Sequence, residues 1–168
     1  LKDNSLLESG ELSPWNYKNI VTTGLRIGEF EWVDHFIHEF RERVPEEFRD
    51  NAFTYNLARL AFQRKKYGEV LKMLNEVEYE DIFYNLDSKA MLLKVYFEEE
   101  EVDALDSLLD TFQIYLRRNK LISTEHRRNY QNITRFVRKL SRLQNRSQIL
   151  RPDNNKLQDK IEGTEHNA

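Results

Sequence analysis

The residues best suited to chemistry in this chain are two histidines that lie three positions apart. His35 and His38 stand among Asp34, Glu39 and Glu42, and imidazole and carboxylate groups on adjacent faces of one helix can bind a metal ion. Carboxylate-bridged metal sites in helical bundles, however, need a Glu followed three residues later by a His on each of two helices. That spacing is absent around these histidines. We therefore interpret them as surface residues paired with neighbouring Glu residues one helical turn away.

The other sequence signatures of catalysis are missing. His126 lies beside Arg127 and Arg128, but the sequence places no Ser, Asp or Glu as its catalytic partner. The chain has no glycine-rich phosphate loop and no nucleophile elbow. The absence of Cys removes thiolate metal ligands and cysteine nucleophiles together. We expect no enzymatic activity, no cofactor and no metal.

The sharpest functional signal is a basic segment. Residues 115–151 carry 11 Lys or Arg and a single acid, whereas residues 1–114 carry 13 basic and 24 acidic residues, so the net charge of −3 hides a strong asymmetry. Three interpretations remain open: a solvated capping helix, docking to an acidic protein or to a second copy, and nucleic-acid binding through residues 117–151. The overall negative charge disfavours nucleic acid. The candidate basic docking surface comprises Arg127, Arg128, Arg135, Arg138, Lys139 and Arg142.

Helical spacing of apolar residues predicts the elements that position these groups. Ser13 and Pro14 together are typical of a helix start. The pattern predicts helix pairs at about 14–44, 47–77 and 82–118, and a basic capping helix at 123–143. Residues 1–12 are expected to be a frayed lead-in. The polar tail, 144–168, contains Pro152 and is expected to be weakly ordered or to start a truncated helix.

The central helices contain the same apolar pattern twice, 35 residues apart. The first copy comprises Leu57, Ala58, Ala61, Tyr67, Val70, Leu74 and Val77. The second comprises Leu92, Leu93, Tyr96, Val102, Leu105, Leu109 and Phe112. A period of about 34 residues built on helical spacing is typical of helix–turn–helix repeat arrays. The two copies resemble the tetratricopeptide repeat (TPR), with departures at Ala61, Val70 and Leu105, and they also resemble bacterial repeat proteins of unknown function.

The resemblance implies an all-α fold, a right-handed α-α solenoid of about three TPR-like helix pairs closed by the long C-terminal basic helix. It also implies a non-enzymatic scaffold that binds a protein or peptide partner on its concave face. The residues expected to face that groove are Tyr55, Arg59, Phe62, Gln63, Lys94 and Phe97. Arg59 and Lys94 lie one repeat apart, so together they could bind an acidic ligand. Phe62 and Phe97 could serve as apolar anchors.

The location of the protein follows only from general features. No apolar run approaches the roughly 20 residues that a membrane-spanning helix needs. The lack of Cys fits a reducing compartment, so we expect a cytoplasmic location. Because the chain begins at Leu1 rather than Met, we interpret it as part of a longer protein.

Overall fold

The computed structural model of the protein describes residues 10–75 and 82–165, with side chains described as far as residue 145. Within these ranges the chain forms seven α-helices and one short 3-10 helix, with no strand, so the predicted all-α class is confirmed. The helices are α1 (Pro14–Arg26), α2 (Phe30–Glu39), α3 (Glu46–Gln63), α4 (Tyr67–Asn75), α5 (Ile82–Glu98), α6 (Val102–Arg118) and α7 (Thr124–Glu165), and the 3-10 helix is Arg41–Arg43.

The chain divides into two compact units between Glu99 and Glu100. Unit 1 contains α1 to α5, and unit 2 contains α6 and α7. The division falls between the two helices that the sequence analysis assigned to a single pair at 82–118.

Two helix starts follow the expected capping rules. The Ser13 hydroxyl accepts a hydrogen bond from the Asn16 amide at 3.1 Å, and Pro14 occupies the first helical position, as predicted. Glu46 and Glu47 lie in the first turn of α3, where carboxylates interact favourably with the positive end of the helix dipole. These local signals fix where α1 and α3 begin.

The first two helices of unit 1 pack antiparallel. Near the start of α1, the buried Tyr17 hydroxyl donates to the carbonyl oxygen of Ile37 near the end of α2. Near the end of α1, Gly24 lies against Val33 close to the start of α2. Burial raises the pKa of the Tyr17 phenol well above its ordinary value, and the positive charge of Arg41 opposes the increase. Tyr17 therefore stays neutral and holds a carbonyl that has no partner within α2.

The close approach of α1 and α2 makes Gly24 a point where added volume should be costly. A Cβ atom there would overlap Val33 Cγ2 and would lie 3.3 Å from the Trp32 ring. We expect Gly24→Ala to lower the free energy of unfolding of unit 1 by about 1–3 kcal/mol, measured by hydrogen exchange at the amides of α1. The matched control is Gly68→Ala in α4, where a Cβ would meet no atom within 4 Å. That change should raise stability by about 0.5–1 kcal/mol. Equal effects at both positions would contradict the close contact.

Helices α1 and α3 lie side by side and run in the same direction. Tyr55 of α3 donates at 3.3 Å to the Asp87 carboxylate, which also binds Lys18 of α1. One turn further along both helices, Arg59 of α3 donates to the Thr22 hydroxyl of α1. Because the contacts advance together along the two helices, α1 and α3 are parallel.

Helix α5 runs in this direction as well. The Tyr84 hydroxyl of α5 donates at 3.1 Å to the carbonyl oxygen of Pro14, and Asp87 pairs with Lys18 one turn later. Helix α3 packs against both α1 and α5, while α2 and α4 also contact α3. Three parallel helices of unit 1 therefore form one continuous layer, named here the α1/α3/α5 face.

Unit 2 is built by the packing of α6 on α7. The buried stripe of α6 comprises Leu105, Leu109, Phe112 and Leu116. The Phe112 ring lies 5.9 Å from the ring of Tyr130 on α7. Thr134 and Ser141, one and three turns further along α7, are buried too. Their spacing places them on the face of α7 that carries Tyr130.

Two boundaries differ from the sequence predictions. Leu12, assigned to the frayed lead-in, is 1% exposed, and its amide donates at 2.8 Å to the Arg43 carbonyl, so the chain is already anchored there. Helix α7 does not end near Leu143 but continues through Pro152 to Glu165. A proline disrupts a helix by removing one hydrogen bond and crowding the preceding turn, a local cost that the cooperative hydrogen bonding of the turns on either side can outweigh. The predicted polar break at 78–81 lies outside the described residues.

Candidate binding surfaces

The centre of the α1/α3/α5 face is a lysine surrounded by aromatic rings. The Lys18 ammonium pairs with the Asp87 carboxylate and lies 5.2 Å from the ring centroid of Trp15. It also lies 5.7 Å from the ring centroids of both Tyr55 and Tyr84. Aromatic faces attract cations, most strongly where water is excluded. The pair is largely shielded, since the side chains of Lys18 and Asp87 are 13% and 27% exposed.

The groove residues predicted on α3 fall into buried and accessible positions. Tyr55 is buried, and its ring contributes to the surroundings of Lys18. Arg59 is half-buried, donates to Thr22 and lies 5.8 Å from the Tyr55 ring. Phe62 is half-buried against Tyr67, with 5.7 Å between the rings. Arg59 and Phe62 therefore retain accessible surface on the side of α3 that carries Tyr55.

The remaining predicted groove residues are accessible to different extents. Gln63 at the end of α3 and Lys94 on α5 are exposed, and Phe97 is half-buried. Since α3 and α5 pack against each other, Arg59 and Lys94 lie on neighbouring helices. Sequence reasoning missed the Lys18–Asp87 pair because its members are 69 residues apart. No local pattern marks them as partners.

The second candidate surface is a cleft of about 610 Å³ between α6 and α7 of unit 2. Its lining comprises Gln113, Arg117, Gln131, Arg135, Arg138, Lys139, Arg142 and Leu143, named here the basic cleft. Four of the six residues proposed for basic docking, Arg135, Arg138, Lys139 and Arg142, line it. They share one side of α7 because their spacing follows the helical repeat.

Arg127 and Arg128 do not line the cleft. The Arg127 guanidinium donates at 3.1 Å to the carbonyl oxygens of Asn119 and Ile122, in the turn that joins α6 to α7. Arg127 therefore stabilises the turn, as basic side chains near helix C-termini commonly do. Arg128 is exposed on the first turns of α7. The six residues predicted as one docking surface therefore do not form a single surface. Four line the cleft, Arg127 stabilises the turn, and Arg128 is exposed elsewhere on α7.

One cation of the cleft already has a charged partner. Arg138 pairs with Asp110 of α6 at 2.6 Å, and its buried Nε has no hydrogen-bond acceptor among the described residues. Arg135 donates at 3.1 Å to the Asn132 amide oxygen, a neutral group. The cleft thus contains guanidinium donors that the described protein groups do not fully satisfy.

The histidines occupy surface positions. His35 Nε2 lies 3.5 Å from a carboxylate oxygen of Glu39, so this histidine pairs with a Glu one turn away, as predicted. His38 Nδ1 instead lies 3.2 Å from a carboxylate oxygen of Asp34. Across the described residues, no three His, Asp or Glu side chains gather in a way that could hold a metal ion. Nδ1 of His126 lies 2.7 Å from the Ser123 hydroxyl, which caps the start of α7. His126 therefore belongs to a helix cap.

A second cavity, of about 550 Å³, lies on the side of α1 that carries Ile20 and Ile27 in unit 1. Its lining comprises Asn16, Asn19, Ile20, Thr23, Gly24, Ile27, Glu29 and Trp32. The sequence analysis did not identify this surface, because apolar residues at helical spacing indicate burial and Ile27 and Trp32 follow that spacing. Both are exposed large apolar side chains.

Within the described ranges, no helix combines the length and apolar character needed to cross a bilayer. No protein-family model, no curated protein and no solved structure matches this chain.

Proposed function

We propose that this protein is a non-enzymatic scaffold that binds a protein or peptide segment on the α1/α3/α5 face. In this proposal unit 1 is a TPR-like stack of helix pairs, part of a right-handed solenoid. The observation that carries it is the layer of three parallel helices, with α2 antiparallel to α1. Helix-pair repeats place the first helix of each pair in such a layer, and the layer provides an extended binding surface.

The accessible side chains on this face suit a peptide with an acidic residue. Arg59 has a neutral hydroxyl as its hydrogen-bond partner on Thr22, which leaves guanidinium donors for a ligand carboxylate. Lys94 adds a second positive charge one helix away, and Phe62 offers part of an aromatic ring. A cation pair beside an apolar contact provides both charge recognition and buried area.

The test is a double charge reversal, Arg59→Glu/Lys94→Glu. Peptides would first be selected with the full chain from a displayed library of random twelve-residue sequences, and their affinities measured by calorimetry. We expect selected peptides to be acidic and to bind the variant at least about tenfold more weakly, because two attractive contacts become repulsive.

The matched control is Arg43→Glu/Lys72→Glu, which makes the same change in net charge at two exposed positions outside the face. Its affinities should stay within about twofold of the wild type. Equal losses in both variants would indicate a non-specific charge effect. Unchanged affinity in Arg59→Glu/Lys94→Glu, with the helical circular dichroism preserved, would place peptide binding elsewhere and refute the proposal.

A further inference from the structure

We infer that the basic cleft of unit 2 is a second binding site, distinct from the α1/α3/α5 face, for an extended acidic peptide segment of a partner protein. The charge of its lining is the first argument. Five cations and no carboxylate line the cleft. Asp110 pairs with Arg138, but among the described residues no acid lies within ion-pair distance of Arg117, Arg135, Lys139 or Arg142. Like charges held in one cleft repel each other, so an anionic occupant is favoured.

The dimensions of the cleft match a short peptide. Its lining extends along α7 from Gln131 to Leu143, and the twelve steps between these residues rise by about 18 Å. An extended chain covers this distance with five or six residues at about 3.3 Å each. Its volume also lies in the usual range of ligand pockets, about 300–1,000 Å³. A single phosphate or carboxylate is too small to contact cations distributed over this length.

The spacing of the cations favours acids at alternate peptide positions. Arg135, Lys139 and Arg142 succeed one another by about one helical turn, with rises of about 6 Å and about 4.5 Å that their long side chains can adjust. Alternate side chains of an extended peptide point the same way and lie about 6.6 Å apart. Guanidinium groups bind carboxylates in a bidentate manner, so the arginines can select for the acids. Peptides of alternating acidic and small residues therefore fit the cleft.

A peptide fits this lining better than a nucleic acid does. Single-stranded nucleic acids are usually held by aromatic side chains that stack on the bases, and the cleft lining contains no aromatic residue. The overall charge of −3, with a large acidic excess before residue 115, also opposes the approach of a long polyanion. Leu143 and the aliphatic stems of Lys139 and the arginines provide an apolar floor for small peptide side chains.

The experiment uses a fluorescein-labelled peptide of eight residues that alternates glutamate and alanine, titrated with the full chain and followed by fluorescence anisotropy. Arg135→Glu/Lys139→Glu should weaken binding at least about tenfold, because both exposed cations line the cleft. The control, Lys120→Glu/Arg128→Glu, reverses the same number of charges in the same unit outside the cleft and should change affinity by less than about twofold. Circular dichroism verifies that both variants keep their helices.

Several outcomes would overturn the inference. Equal weakening in the two double variants would show a general charge attraction without a defined site. Equal binding of the peptide with glutamine in place of glutamate would exclude charge recognition. Tighter binding of an eight-nucleotide oligothymidylate, lost in the cleft variant alone, would identify the occupant as nucleic acid. Salt-sensitive self-association, seen by sedimentation and abolished in that variant, would identify it as a second copy of the chain.

Discussion

Replacing Asp87 with alanine will lower the free energy of unfolding of unit 1 by about 2–4 kcal/mol. The Lys18 ammonium, whose side chain is 13% exposed, would lose its carboxylate partner while remaining between α1 and α5. Breaking one half of a buried ion pair typically costs about 3–5 kcal/mol, because the other charge stays desolvated. We expect a smaller cost in stability here because Asp87 is partly exposed. The rings of Trp15, Tyr55 and Tyr84 also attract the Lys18 ammonium and so offset part of the lost interaction.

Hydrogen exchange at the amides of the unit 1 helices measures this effect without a contribution from unit 2. Two further variants help to interpret it. Asp50→Ala removes a carboxylate that is 84% exposed and pairs with Arg41, and it should cost less than about 1 kcal/mol. Lys18→Met/Asp87→Leu removes both charges and should lie closer to the wild type than Asp87→Ala does. If Asp87→Ala were as mild as Asp50→Ala, the shielded pair would contribute little to the association of α1 with α5.

The Lys18–Asp87 pair also bears on the proposed function. It connects the first and last helices of the α1/α3/α5 face, while Tyr55 on the middle helix bonds the same carboxylate. A buried ion pair is weak evidence for added stability, but the directions of its hydrogen bonds can restrict how the helices that carry it pack. We interpret the pair as a device that fixes the relative positions of these helices. Loss of peptide binding in Asp87→Ala would then come from altered helix spacing.

The helices could be predicted from the sequence because their information is local. Ser13 with Pro14 marks the start of α1 through a side-chain hydrogen bond within one turn. The duplicated apolar pattern identified residues that are buried, among them Leu92, Leu105 and Phe112. The end of α7 could not be read in this way. Whether Pro152 ends a helix depends on a balance of small energies along many residues, which one breaker residue does not decide.

The candidate sites depend on long-range packing, and sequence reasoning resolved them only in part. Charge counting located the basic segment, but it treated Arg127 and Arg135 alike. Their roles separate only when α6 and α7 pack, since Arg127 then meets carbonyl groups of the connecting turn while Arg135 lines the cleft. Arg117 enters the cleft from α6 for the same reason. Helical periodicity predicts on which face of its helix a residue lies, but tertiary contacts decide what that face packs against.

Phe112→Ala should have the largest effect in unit 2, a loss of about 3–5 kcal/mol in the free energy of unfolding. The Phe112 side chain is 0% exposed and packs beside Tyr130, so truncation removes buried apolar area and leaves a cavity between α6 and α7. The loss falls on the interface that forms the basic cleft. Affinity for the alternating glutamate peptide should therefore decrease although no charge is changed.

The measurement must report on unit 2 alone, because denaturation of the whole chain mixes the two units. Hydrogen exchange at the amides of α6 does so, since exchange from a folded helix requires local or global opening. The control is Ile114→Ala, two residues away on α6 but 39% exposed, which should cost less than about 1 kcal/mol. Similar acceleration of exchange in both variants would mean that Phe112 is not the centre of the α6–α7 contact. Faster exchange in Phe112→Ala but not in Ile114→Ala, together with weaker peptide binding, would show that the cleft depends on the packing of α6 against α7.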